Sequence, residues 1–334
     1  MIKLKRHPSN PILAKNPDNH WEAGSVFNPC VIRDGKLFRM FYRATNDVKR
    51  KEKGGYTSSI GYAESSDGLT WKRNNDPILT PSEPYDSDGC EDARVTKIND
   101  TYYMHYTAIA IGENDKLSIR IALATSKDCK TWVKHGIVGP AGSTSKAATL
   151  FPEKINDEYW WFYTWESDSP RSTIMSVSAK DLEEVARPPS GRLAQTLECF
   201  DSWAVFTSPI SPDSPNSIGV VRGAEVGAPP LKTEDGWLFI YCNANISGHP
   251  EWTVKAALLD LNDPRKVIAK TVEPILAPES GPERNGVVNN VTFPEGAVAV
   301  GDELYVYYGS GDQGCCLATC KLSELLDELK AQFV

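Results

Sequence analysis

The sequence predicts an all-β chain, a five-bladed β-propeller closed by a short C-terminal helix. Three observations predict it: a hairpin signal that recurs five times, a tyrosine that closes each aromatic strand after it, and helical spacing only at the C-terminus. The five segments are residues 33–42, 98–106, 155–163, 233–241 and 300–308. Each sets a polar turn pair (Asp34-Gly35, Asn99-Asp100, Asn156-Asp157, Asp235-Gly236, Gly301-Asp302) before an aromatic run ending in Tyr42, Tyr106, Tyr163, Tyr241 or Tyr308. These tyrosines recur at roughly 65-residue intervals, the length of one four-stranded blade. A pair of β-sandwiches with coincidental hairpins is the competing fold.

Each unit opens on a short polar or proline-marked segment: Phe27-Asn28-Pro29, Cys90-Glu91-Asp92, Leu150-Phe151-Pro152, residues 227–230, and Thr292-Phe293-Pro294. A third strand follows the hairpin, clearest at 60–71 and 121–132 and weaker at 173–181 and 254–260. A fourth is marked by Pro-Ile-Leu at 11–13, 77–79 and 274–276. Trp71 and Trp132 end equivalent Ser-x-Asp-x-x-x-Trp motifs and are expected to pack between blades. From Ser323, read as an N-cap, Leu325, Leu326, Leu329 and Phe333 fall at helical spacing. Residues 199–216 read as a long inserted loop and 49–53 as a solvated charge run. No linker composition divides the chain, so residues 1–334 are expected to form one propeller domain.

With 334 residues, 40% hydrophobic and 24% charged, the chain is not a disordered one. Thirty-six basic residues against 44 acidic ones, scattered, offer nucleic acid no cationic face. The N-terminus has no apolar signal stretch and no window reaches membrane-spanning length, which predicts a cytoplasmic protein that does not engage membranes. Eight cysteines without a Cys-x-x-Cys pair read as free thiols. Five histidines without ligand spacing predict neither metal nor cofactor.

In a propeller, chemistry collects where the leading strands and loops of the blades converge. Asn28, the pair Glu91-Asp92 with Arg94, Lys146 and Glu225 stand near blade starts, while Arg43, Glu166 and Asp312 follow the aromatic runs of blades one, three and five. Carboxylates and arginines among abundant Trp and Tyr suit glycosidic-bond chemistry, which needs an acid for the leaving oxygen and, on the opposite face, a base for water or a path for another nucleophile.

These residues also form longer motifs. They include His7–Leu13, Phe27-Asn28-Pro29, Tyr42-Arg43-Ala44, residues 60–68, Gly89–Arg94, Lys146 with residues 150–154, residues 229–238 and 258–264, and residues 307–312. Together, and in order from about residue 7 to the end, they resemble glycoside hydrolase family 130. The resemblance implies a five-bladed propeller that acts on β-mannosides with inversion, using either phosphate or water as nucleophile. It implies Asp92 as general acid, its proton passing through a mannose hydroxyl, and Asn28, Arg43, Arg94 and Asp312 as residues lining the sugar and nucleophile pocket.

Phosphorolytic members carry basic residues at three places where this chain has Thr164-Trp165-Glu166, residues 222–225 ending in Glu225, and Cys242-Asn243. A dianion needs cationic donors, and glutamates in their place would repel it while offering a base for water. The expectation is therefore an inverting β-mannosidase, acting on small β-1,2-linked mannosides, with Asp92 as acid and Glu166 or Glu225 as base. The alternative is a β-mannoside phosphorylase making mannose 1-phosphate, with Arg43, Arg94, Lys146 and Arg222 on phosphate. A non-catalytic sugar-binding propeller is the third reading. Glu91 completes the expected substrate-binding set; the expected partner is a small mannoside, and homo-oligomerisation is left open.

Overall fold

The computed structural model describes residues 2–48, 55–112, 117–140, 144–166, 172–187, 222–245 and 250–331. The charge run at 49–53, the loop at 199–216, Cys199 and Phe333 lie outside them. The chain is all-β apart from a few short helices, and its strands form five antiparallel meanders.

The first meander joins Ser25–Asp34, Leu37–Thr45, Ser58–Ser65 and Lys72–Arg73. The second joins Gly89–Ile98, Thr101–Ile111, Leu117–Ser126 and Val133–Ile137. Thr144–Leu150, Tyr159–Glu166 and Ser172–Ala179 make the third. In the fourth, Arg222–Glu225 and Leu231–Lys232 both pair with Trp237–Asn245, which is followed by Glu251–Leu259 and Val267–Lys270. The fifth joins Thr292–Val300, Glu303–Ser310 and Gly314–Lys321, and its outer edge is completed from the other end of the chain by Lys5–Arg6 and Leu13–Ala14. Every hairpin signal lies at a turn between the first and second strands. Gly35, Asn99, Asn156 and Gly301 all take the left-handed backbone that such tight turns demand.

Five hydrophobic clusters lie between successive meanders: first with second, second with third, third with fourth, fourth with fifth, and fifth with first. This order is cyclic. Trp132 meets Phe41 edge-on across the first of these boundaries, and Trp71 meets Tyr307 across the last. A cavity of about 460 Å³ is lined by residues 31–35, 95–97, Pro152, 229–231 and 297–299, so all five meanders contribute to it.

The closing tyrosines are buried, and three of them share an arrangement that the sequence does not announce. Tyr42, Tyr106 and Tyr308 donate their hydroxyls to Glu22, Asp86 and Glu283, at 3.1, 2.9 and 2.8 Å. Each of these buried carboxylates comes from the segment ahead of its meander, and each is paired with a cation from that meander's outer strand: Arg73, Lys134 and Arg6 respectively. A buried carboxylate without such partners would carry a large desolvation cost. With them, the outer strand is tied to the second strand and to the chain entering the sheet.

The C-terminal helix runs Leu322–Lys330 and buries Leu325 and Leu329 as expected, but it starts before Ser323. Ser323 is not its N-cap. The Asp302 carboxylate takes that place by accepting from the Ser323 backbone N–H (2.9 Å) and hydroxyl (3.0 Å). The seven described cysteines are free thiols. Among the described residues no helix is long and apolar enough to cross a membrane.

Candidate active site

Four leading strands carry a β-bulge at the same point: between Phe27 and Cys30, Glu91 and Arg94, Lys146 and Thr149, and Pro294 and Gly296. Asn28, Asp92 and Ala147 sit in these bulges with φ of 51°, 51° and 52°. Left-handed backbone costs a non-glycine residue roughly 1–3 kcal/mol, and bulges re-aim the side chains they carry. Proline marks the bulge only in the first and fifth meanders. In the third and fourth, Pro152, Pro229 and Pro230 instead line the 460 Å³ cavity, so the functional positions there lie earlier, around Lys146 and Glu225.

The bulges gather the polar residues. Asn28 donates its amide to Asp92 Oδ1 at 2.9 Å, and Arg43 Nη1 reaches the same oxygen at 3.3 Å. Arg43 also donates to Glu91 (2.7 Å), the Tyr56 hydroxyl (3.0 Å) and Ser58 Oγ (3.2 Å), and its guanidinium lies 4.8 Å from the Phe27 ring centroid. Burial pushes the Asp92 carboxyl upward, but Arg43, Arg94, the Asn28 amide and Lys146 outweigh it and hold Asp92 below the usual carboxylate range. Asp312, in the turn after Glu303–Ser310, goes the other way. Burial raises it to about 6, with Arg43 opposing and Asp92 and Glu91 reinforcing the rise. Two carboxyls whose surroundings drive them apart form the pairing found where one group holds a proton and another holds charge.

Lys146 lies between two carboxylates, 2.8 Å from Glu166 and 3.1 Å from Glu225. Burial would lower its ammonium, but Glu225 and then Glu166 raise it, so Lys146 is a firmly held cation. Glu225 is 5% exposed and Glu166 34%, which leaves Glu166 the readier of the two to move. Val226 N–H donates to Thr164 Oγ1 at 2.9 Å and ties the fourth meander's leading segment to the third meander's aromatic strand.

Arg94 differs from its sequence expectation as a lining residue. Its side chain is fully buried and donates to the carbonyls of Asp92 (2.7 Å), Val226 (3.0 Å) and Gly227 (3.1 Å). Enclosed in backbone, it has no face for a sugar. Glu295, which sequence reasoning passed over, lies against it. The signal was present: Glu295 directly follows the Thr292-Phe293-Pro294 marker, and the second meander places acids at its own marker, Cys90-Glu91-Asp92. The Arg222 side chain lies outside the described structure. Among the described residues no group of three or more His, Cys, Asp or Glu is arranged to hold a metal ion.

An all-β scaffold that brings carboxylates and fixed cations together at its strand bulges suits chemistry on carbohydrates. The chain belongs to glycoside hydrolase family 130: residues 3–331 match the family model described as beta-1,4-mannooligosaccharide phosphorylase. It is 36% identical over 325 residues, 97% of this chain and 99% of the relative, to a 1,2-beta-oligomannan phosphorylase of Thermoanaerobacter sp. (strain X514). It is 39% identical over 318 residues to a beta-1,2-mannobiose phosphorylase of the same organism, covering 93% of this chain and 95% of the relative. The solved structure of beta-1,2-mannobiose phosphorylase from Listeria innocua, in complex with beta-1,2-mannobiose, superposes with a TM-score of 0.78 at 25% identity, covering 99% of this chain and all of that one.

Proposed function

We propose that the five meanders are the blades of one five-bladed propeller, and that its bulged face binds a small β-1,2-linked mannoside and transfers the terminal mannose to inorganic phosphate. The cyclic order of the hydrophobic clusters and the cavity bordered by every meander support the propeller. The length of the likeness carries the activity: two relatives, 36% and 39% identical over more than nine-tenths of the chain, are named as phosphorylases of β-1,2-mannosides. That supports phosphorolysis better than the hydrolysis expected from the altered basic positions.

In this reading Asp92 delivers its proton toward the glycosidic oxygen as the C1–O bond breaks. Phosphate forms the new C1–O bond from the opposite face, so a β-mannoside yields α-mannose 1-phosphate and the shortened sugar. Arg43, Arg94 and the Asn28 amide hold Asp92 below the usual carboxylate range, and a sugar seated over it would exclude water and push it back up, the direction protonation requires. Asn28 and Arg43 hold the carboxylate in place. Lys146, with Arg43, is the cation for phosphate, which enters by displacing the more exposed Glu166.

Hydrolysis is the second reading, and one observation favours it: Lys146 is already bridged by Glu166 and Glu225, either of which could activate water. Product analysis with β-1,2-mannobiose, with and without phosphate, separates the two. Phosphorolysis gives α-mannose 1-phosphate only when phosphate is present, and none from Asp92→Asn. Free mannose formed without phosphate would overturn it in favour of hydrolysis, with Glu166→Gln and Glu225→Gln then locating the base.

A further inference from the structure

The fifth meander carries an acid at its bulge that the chemistry above does not use. Glu295 stands in the bulge between Pro294 and Gly296, one place beyond the point along its strand where Asp92 stands in the second meander. Its side chain is fully buried, and neither carboxyl oxygen has a hydrogen-bond partner among the described residues. Arg94 Nη2 lies 3.0 Å from Oε1, a close charge contact rather than an aligned hydrogen bond. The same guanidinium holds the carbonyl of Asp92 and those of Val226 and Gly227, next to Glu225. One side chain thus joins three meanders beside Asp92 and Glu225.

We infer that Glu295 is a positioning residue: it seats Arg94 from behind the site, and through Arg94 it fixes the bulge that aims Asp92. The inference rests on Asp92 as the acid. A neutral carboxyl suits the task, because it seats the guanidinium without cancelling the positive charge that Arg94 directs at Asp92. Burial pushes Glu295 well above the usual carboxylate range, toward that form. Arg94 and Arg43 pull it down and Asp92 and Asp312 push it up, while Cys30 and Cys315 also face it.

The test uses the full chain with β-1,2-mannobiose and phosphate, measuring kcat, KM and the pH–rate profile. Glu295→Ala should lower kcat roughly 10- to 100-fold and shift the acid limb of the profile, with KM changed by less than about threefold. The conservative Glu295→Gln, which keeps an oxygen toward Arg94, should recover most of the loss. Arg94→Lys cannot reach all three carbonyls and should reproduce the kcat defect.

Folded Glu295→Ala with wild-type kcat and profile would overturn the inference, as would Glu295→Gln no faster than Ala. If Glu295→Ala does not fold, Arg94→Lys decides: a wild-type profile refutes the inference and a shifted one with lowered kcat supports it. Asp92→Asn separates the two levels. If that variant stays active the Asp92 reading falls, and if it is inactive while Glu295→Ala is unaffected only the positioning role falls.

Discussion

His105 offers a measurement of how tightly the wall behind the site is closed. It lies on Thr101–Ile111 opposite Arg94 in register, fully buried, its ring stacked on Trp161 with centroids 5.3 Å apart and planes 16° from parallel. Neither ring nitrogen has a hydrogen-bond partner among the described residues, and burial lowers the imidazole from 6.5 to about 3. The unfolded chain therefore takes up a proton that the folded one refuses. Stability from this group is fully present above about pH 6.5 and is lost as pH falls toward 3, at roughly 1.4 kcal/mol per unit. Between pH 7 and pH 5 the loss is about 2 kcal/mol. His105→Phe keeps an aromatic ring against Trp161 and removes the titration. Urea unfolding of both proteins at pH 7, 6 and 5 should give the wild type an extra loss of about 2 kcal/mol over that interval, the other titrating groups cancelling in the difference. Parallel curves for the two proteins would refute the argument.

Two further perturbations address the site directly. A Cβ at Gly309 would stand 2.1 Å from Asn28 Oδ1, so Gly309→Ala should swing Asn28 away from Asp92 and lower kcat roughly tenfold or more, with folding checked by thermal melting. Asp312, raised from 3.8 to about 6, takes up a proton more readily folded than unfolded, so its charge weakens the fold as pH rises through that window and the cost is fully present above about pH 6. Asp312→Asn should therefore raise stability at pH 7, by up to about 3 kcal/mol, while slowing mannoside turnover; equal or lower stability in chemical denaturation would contradict the assignment.

The repeat was legible because hairpin chemistry is local. Asn99-Asp100 and Asp235-Gly236 specify their turns whatever surrounds them, and buried tyrosines follow six to eight residues on. Asp92 was legible for the same reason, inside a short stretch that also holds Glu91 and Arg94. The partners of Tyr42, Tyr106 and Tyr308 were not, since Glu22, Asp86 and Glu283 lie in segments of differing length and composition and meet their tyrosines only in the folded sheet. Arg94 was misread because charge in a sequence carries no burial. Its neighbours suggested a pocket residue, whereas its donors are consumed by backbone carbonyls.

The bulges explain why the proposed acid is easier to pick out in the sequence than the residues proposed to govern the nucleophile. Ala147 holds the same left-handed backbone as Asn28 and Asp92 yet carries no functional group, so the strain there serves no chemistry of its own. It belongs to the repeated strand, and function is written onto it by what occupies the position: an amide in the first meander, a carboxylate in the second, and in the third a cation one place earlier, at Lys146, where the second has Glu91. In the proposed reaction the choice between phosphate and water is made elsewhere. It rests on Glu166, at the end of the aromatic strand of Lys146's own meander, and Glu225, at the end of the short leading strand of the next. Because these glutamates lie off the bulges, they can change without disturbing the strand geometry that holds Asp92. In the proposed reaction the same scaffold can then present one acid to different nucleophiles, with the salt-bridged Lys146 as the point of choice.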